Sequence, residues 1–150
     1  MIEANIEERI VETIESFNIA GIKVFGAWSI ANAGEVKAQE LERAPVTIGV
    51  AVSPRVFRSY GINPVDIDCI FNVGVAAEEN PRGDLLNATF GALMNLIQHW
   101  HDDADALLAL GGDDFEISAL SSSGGNAPQY DSTNGRWNCN YTVTISGVPK

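Results

Sequence analysis

Positive charge is scarce in this sequence: 9 Lys and Arg residues face 20 Asp and Glu, for a net charge of −11. Duplex binding draws its affinity from Lys and Arg displacing counterions from phosphate, so this balance argues against a nucleic-acid-binding domain. Cysteine is nearly absent. Cys69 and Cys139 are far apart on predicted strands, which reads as two structural thiols in a reducing compartment rather than a disulfide framework. No run approaches the ~20 apolar residues of a membrane span. The N-terminal stretch carries Glu3, Glu7 and Glu8 and has neither the basic nor the apolar region of a secretory leader. A Gly-x-Ser-x-Gly elbow, a phosphate loop and a dinucleotide fingerprint are all missing. With that inventory of catalytic motifs empty, no cofactor is implied and the chain is read as a non-enzyme.

What is present patterns into one domain, consistent with 150 residues and 45% apolar content. Ile6, Ile10, Ile14 and Phe17 recur at helical spacing, and the glutamates crowding the first turns suit the positive end of a helix dipole. Residues 22–28 read as a strand, 46–52 as a second, and 65–76 as a third with Ile67, Cys69, Phe71, Val73 and Val75 on one face. Between the first two, the pattern weakens over residues 29–44, with a short helix or a mobile segment at 35–43. Asn80-Pro81 is a helix opening, since Asn caps and Pro is tolerated at the first helical position. Leu85, Leu86, Phe90, Leu93, Met94, Ile97 and Trp100 then mark a long amphipathic helix over 82–101, with a second short helix to follow over 102–110. Phe115, Ile117 and Ala119 alternate with polar residues, as do Trp137, Cys139, Tyr141, Val143 and Ile145. The order implies an α+β fold: a mostly antiparallel sheet packed against an N-terminal helix and a long central helix, closed by a long-looped C-terminal hairpin.

That hairpin loop, residues 121–135, is built of Ser, Gly, Asn, Ala, Pro, Gln, Thr, Tyr and Asp without a single Lys or Arg. Loops beyond about 12–15 residues are functional or disordered more often than not, so the expectation is a soft arm that contacts another molecule. Tyr130 is its one aromatic and the natural anchor. Arg55, Arg58 and Tyr60 form the only basic–aromatic cluster, between two strands, and are a second candidate for protein contact.

Metal chemistry has weaker footing. His99 and His101 are two apart on a helix and point to opposite sides, so they cannot share an ion while the helix persists. Asp102, Asp103, Asp105, Asp113 and Asp114 do not follow the spacing of a calcium loop. No metal site is expected.

The order of elements resembles that of the tail terminator, or tail completion, proteins of long-tailed bacteriophages and related minor tail and head–tail joining proteins. The segments that carry the likeness are residues 6–17, 46–52, 65–76, 82–101 and 137–145. The resemblance implies a structural virion component assembled in the host cytoplasm into the virion tail. It further implies a homo-oligomeric ring, commonly of six subunits, contacting tail tube and neck proteins. DNA would pass through as cargo, and an acidic wall keeps a polyanion from sticking. Two other readings stand beside it: a protein-binding adaptor that grips its partner with residues 121–135, and a metal-dependent enzyme built on the acids near residues 99–105 and 113–114.

Overall fold

The first helix, α1 (Ile2–Glu15), lays Ile6, Ile10 and Ile14 into the core with at most 1% of their surface exposed. A computed structural model describes residues 1–33, 43–57 and 64–150 of the chain. After α1 come β1 (Ile22–Gly26), α2 (Ala27–Ala33), β2 (Val46–Val52), β3 (Val56–Phe57) and β4 (Val65–Ala76), then a 3-10 turn at Ala77–Glu79. The helices α3 (Asp84–Asp102) and α4 (Ala104–Gly111) precede β5 (Phe115–Gly124), β6 (Gln129–Asp131) and β7 (Arg136–Pro149). The fold is α+β, with the expected N-terminal and central helices and a mostly antiparallel sheet.

Strand order is β1-β2-β4-β7-β5, with β3 added to β4 and β6 to β7. Among the described residues only β1 and β2 run parallel, and every other pairing is antiparallel. Register aligns the apolar residues onto one face. Val46, Ile48, Val50 and Val52 of β2 pair with Val75, Val73, Phe71 and Cys69 of β4. On the other side Ile67, Cys69 and Val73 of β4 oppose Ile145, Val143 and Cys139 of β7. Against this face α1 contributes Ile6, Ile10 and Ile14, α3 Leu86, Leu93, Ile97 and Trp100, and α4 Leu110. The Trp100 ring lies 6.3 Å from that of Phe71. Full burial of such a side chain is worth about 1.5–3 kcal/mol, which is why helices of modest propensity stay on the sheet.

Several expectations shift. The first strand stops at Gly26 instead of running to Trp28, and the weakly patterned stretch begins as α2. The cause is remote: the Glu7 carboxylate on α1 accepts the Trp28 backbone N–H at 2.9 Å and so satisfies a donor at the start of α2. A Cβ at position 26 would lie 2.8 Å from the Glu7 Cδ, so any larger residue there would displace the Glu7 side chain. Residues 34–42, which hold most of the remainder of that stretch, lie outside the described residues.

The central helix starts at Asp84, two residues later than its pattern implies, behind Gly83 in the left-handed region. Asn80 caps it nonetheless: its Oδ1 accepts the Leu85 and Leu86 N–H groups, both at 3.1 Å. Ala119 was expected on the face of Phe115 and Ile117. A register shift between Ile117 and Ala119 turns it outward, and Leu120 opposite Ile145 takes its place.

The connection over residues 121–135 is not the unsupported arm the composition suggests. Strand β5 runs on to Gly124, and β6 pairs with the start of β7. Between them Gly125 passes so close to β7 that a Cβ there would overlap the Asn140 carbonyl, and the Asn126 N–H donates to the Asn140 side chain at 2.9 Å. The closing turn is organised by Asp131. Its carboxylate accepts from the Thr133 N–H at 3.0 Å and the Asn134 side-chain amide at 2.8 Å, while its carbonyl accepts the Gly135 N–H at 2.8 Å. Local side-chain bonds of this Asx type order the segment without a core.

Candidate functional site

The four residues singled out for protein contact end in three different situations. Tyr130 sits on β6, not in a loop, and is 53% exposed. Its ring lies 5.3 Å from that of Trp137, the residue it opposes across the ladder. The two rings form an aromatic step near the tip of the hairpin. Arg55 is engaged within the subunit. Its guanidinium donates to both carboxylate oxygens of Glu3, at 2.6 and 3.3 Å, and ties the segment after β2 to the first turn of α1. Arg58 and Tyr60 lie outside the described residues.

The second face of the sheet carries the polar halves of the alternating strands. Asp68 and Asn72 of β4 and Asn138 of β7 are exposed there, while Asn140, Thr142 and Thr144 are half-buried. Neighbouring polar groups bond across the ladder: Thr144 Oγ1 donates to Asp68 at 2.6 Å and Ser146 Oγ to Asp66 at 2.5 Å. At one end Arg136 reaches over Gly74 to the Ala44 carbonyl at 2.6 Å and the Thr47 hydroxyl at 3.2 Å. The core-forming helices α1, α3 and α4 all pack on the opposite face.

A third feature escaped the sequence reading. Glu3 and Glu7, whose place in the first turns suits the helix dipole, are 3% and 2% exposed. With Ile10 and Ile14 they make the spacing 3, 7, 10, 14, the stripe that faces the core; a helical wheel centred on those isoleucines would have marked both acids as buried. Glu3 has Arg55. Glu7 Oε2 has the Trp28 N–H, but among the described residues Oε1 has no hydrogen-bond partner. Burial pushes the Glu7 carboxyl above its ordinary value, against the opposing pull of the Trp28, Ala27 and Val52 backbone groups.

A raised carboxyl pKa sets the sign of a pH effect. The associated stability is complete below the unfolded carboxyl value and is lost as pH rises through the folded value, because ionised Glu7 is better solvated in the unfolded chain. Glu7→Gln keeps an acceptor for Trp28 and removes the ionisation. Urea titrations at about pH 4 and about pH 8 should show the variant gaining on the parent only at the higher pH. An equal difference at both would mean that the Glu7 carboxyl binds its proton no more tightly in the folded protein than in the unfolded chain.

His99 and His101 are exposed on either side of the buried Trp100 at the end of α3, as their spacing requires. Among the described residues no three His, Cys, Asp or Glu side chains are arranged to hold an ion. Both cysteines are buried with free thiols. Burial, with the Asp68 and Glu7 charges adding to it, pushes the Cys69 thiol up to about 12, far from a thiolate at neutral pH. Among the described residues no helix is long and apolar enough to cross a membrane. No protein-family model matches this chain, and no curated protein matches it in sequence.

Proposed function

We propose that this protein is a structural, self-assembling component of a long-tailed phage or prophage, a tail terminator or completion protein that forms a ring at the tail–neck junction. The observation that carries the reading is the one-sided sheet. Helices cover one face, while the other presents short polar and acidic side chains, Asp68, Asn72 and Asn138 among them, and the hairpin sets Tyr130 at one end. A ring needs a heterologous interface, in which one patch of each subunit meets a different patch of the next. A sheet with a polar face and two different edges provides unlike patches on one small domain. The acidic balance of the chain fits a lumen along which DNA slides without adhering. In this reading the protein makes no bonds of its own: its partners are further copies of itself and the tail tube and neck proteins.

The test is mass in solution, by native mass spectrometry or light scattering, with and without purified tail tubes. The expected result is a closed oligomer that forms alone or on contact with tubes, and that Tyr130→Ala weakens without unfolding the subunit. A protein that stays monomeric at high concentration with tubes present overturns the proposal. A monomer that loses one specific partner on Tyr130→Ala would instead favour the adaptor reading, which rests on the same exposed ring.

A further inference from the structure

Strand β1 stands at one end of the sheet, with β2 on one side and, among the described residues, no strand on the other. Its outer edge does not face open solvent. Lys23, Val24, Phe25 and Gly26 form one wall of a groove of about 650 Å³ whose opposite wall is the flank of α1. A strand edge facing a helix across a groove is the geometry in which an extended peptide adds to a sheet, its main chain completing the ladder and its side chains reading the walls.

The helix wall has a definite charge. Glu8, Glu12 and Glu15 line it and are exposed, against one basic residue, Lys23, on the strand wall. Glu8 and Glu12 are separated by about 6 Å along the helix axis. Alternate residues of a strand, whose side chains point the same way, are about 6.8 Å apart. The two spacings nearly match, so one face of an added strand can place a cation opposite each glutamate. Glu7 also lines the groove and is buried, and among the described residues its Oε1 has no hydrogen-bond partner. The half-buried Trp28 lines it as well.

We propose that the groove between α1 and the free edge of β1 binds an extended polypeptide segment with Lys or Arg at alternate positions, by strand addition. The site does not depend on the ring: it is a docking place for a basic partner segment on any reading of the protein's role. Strand pairing supplies affinity that is indifferent to sequence, and the glutamate row selects for cations on one face of the incoming strand.

The experiment uses the full chain and a fluorescein-labelled, end-capped peptide of about ten residues alternating Lys and Val, followed by fluorescence anisotropy. Binding is expected to weaken with added salt, and the matching Glu–Val peptide is expected not to bind. Glu8→Lys with Glu12→Lys should weaken binding about ten-fold or more, through two charge reversals on exposed positions. Reversing two exposed acids elsewhere, Asp102→Lys with Asp105→Lys, should change it by less than about two-fold. The Lys–Val peptide N-methylated at alternate amides, which cannot complete a ladder, should bind about ten-fold more weakly. Hydrogen exchange at residues 23–26 should slow on binding. The proposal is overturned if the Lys–Val peptide does not bind. It also fails if both charge-reversal pairs weaken binding alike, or if N-methylation has no effect, since attraction is then general to the acidic surface.

Discussion

Arg55→Ala should lower the unfolding free energy by about 2–4 kcal/mol in urea or guanidinium titrations. The residue would be judged by its exposure alone as an ordinary surface arginine, for which the expected loss is within about 0.5 kcal/mol. Its partner makes the difference. The Glu3 side chain is 4% exposed and meets the guanidinium at two points, while Arg55 itself is 24% exposed. Removing the cation leaves a carboxylate in a place where water cannot replace the lost bonds, one helical turn from the equally buried Glu7. The figure sits below the usual loss for a fully buried pair because the arginine side remains partly solvated. Arg55→Ala combined with Glu3→Gln should recover much of the loss, since the orphaned charge is then gone. Arg55→Lys should fall between, keeping the charge and losing the second contact. A loss under about 0.5 kcal/mol for Arg55→Ala would show that Glu3 finds replacement donors in water.

Gly125→Val should cost about 2–3 kcal/mol and loosen the hairpin tip. The backbone at 125 crosses β7 where the Asn140 carbonyl occupies the space of any Cβ, and neither main chain can yield as a flexible side chain would. The residue must lift away, breaking the bond from the Asn126 N–H to Asn140 and loosening β6 from its ladder. Limited proteolysis should therefore cut the variant between residues 124 and 134 well before the parent. The Trp137 emission should change as the Tyr130 ring, 5.3 Å away, departs. Gly91→Ala is the control. That glycine lies within α3 with nothing within 4 Å of its would-be Cβ, so alanine there should be neutral or add up to about 1 kcal/mol from helix propensity. If Gly125→Val resists protease as the parent does, the connection is held by something other than its passage over β7.

The contrast between these sites and the rest of the chain explains what could be read in advance. Val46–Val52 and Val65–Ala76 have the strand bounds that their apolar runs predicted, and the alternation of Ile67, Cys69, Phe71, Val73 and Val75 identified a buried face. Ile6, Ile10 and Ile14 did the same for α1. These signals are local, because burial on one face of a regular element imposes a period on the sequence itself. The hairpin connection was misjudged because composition registers the absence of core residues. It does not register backbone contact with a neighbouring strand, and Gly125, Asn140 and Asp131 act through just such contacts. Arg55 was read as a surface cation beside Arg58 and Tyr60, whereas its partner is 52 residues away on α1.

By itself, then, the sequence determined the fold class, the identities of the long strands and the main helices, and which of their faces would be dry. Periodicity encodes those facts within each segment. The tertiary structure alone decided that β1 runs parallel to β2 at one end of the sheet, that Gly26 ends it beneath Glu7, and that a carboxylate of α1 begins α2. It also decided that the polar tip is pinned to β7 and that an acidic flank of α1 lines a groove with β1. Each of these depends on two segments meeting in space, and the chemistry of a meeting is carried by neither segment alone.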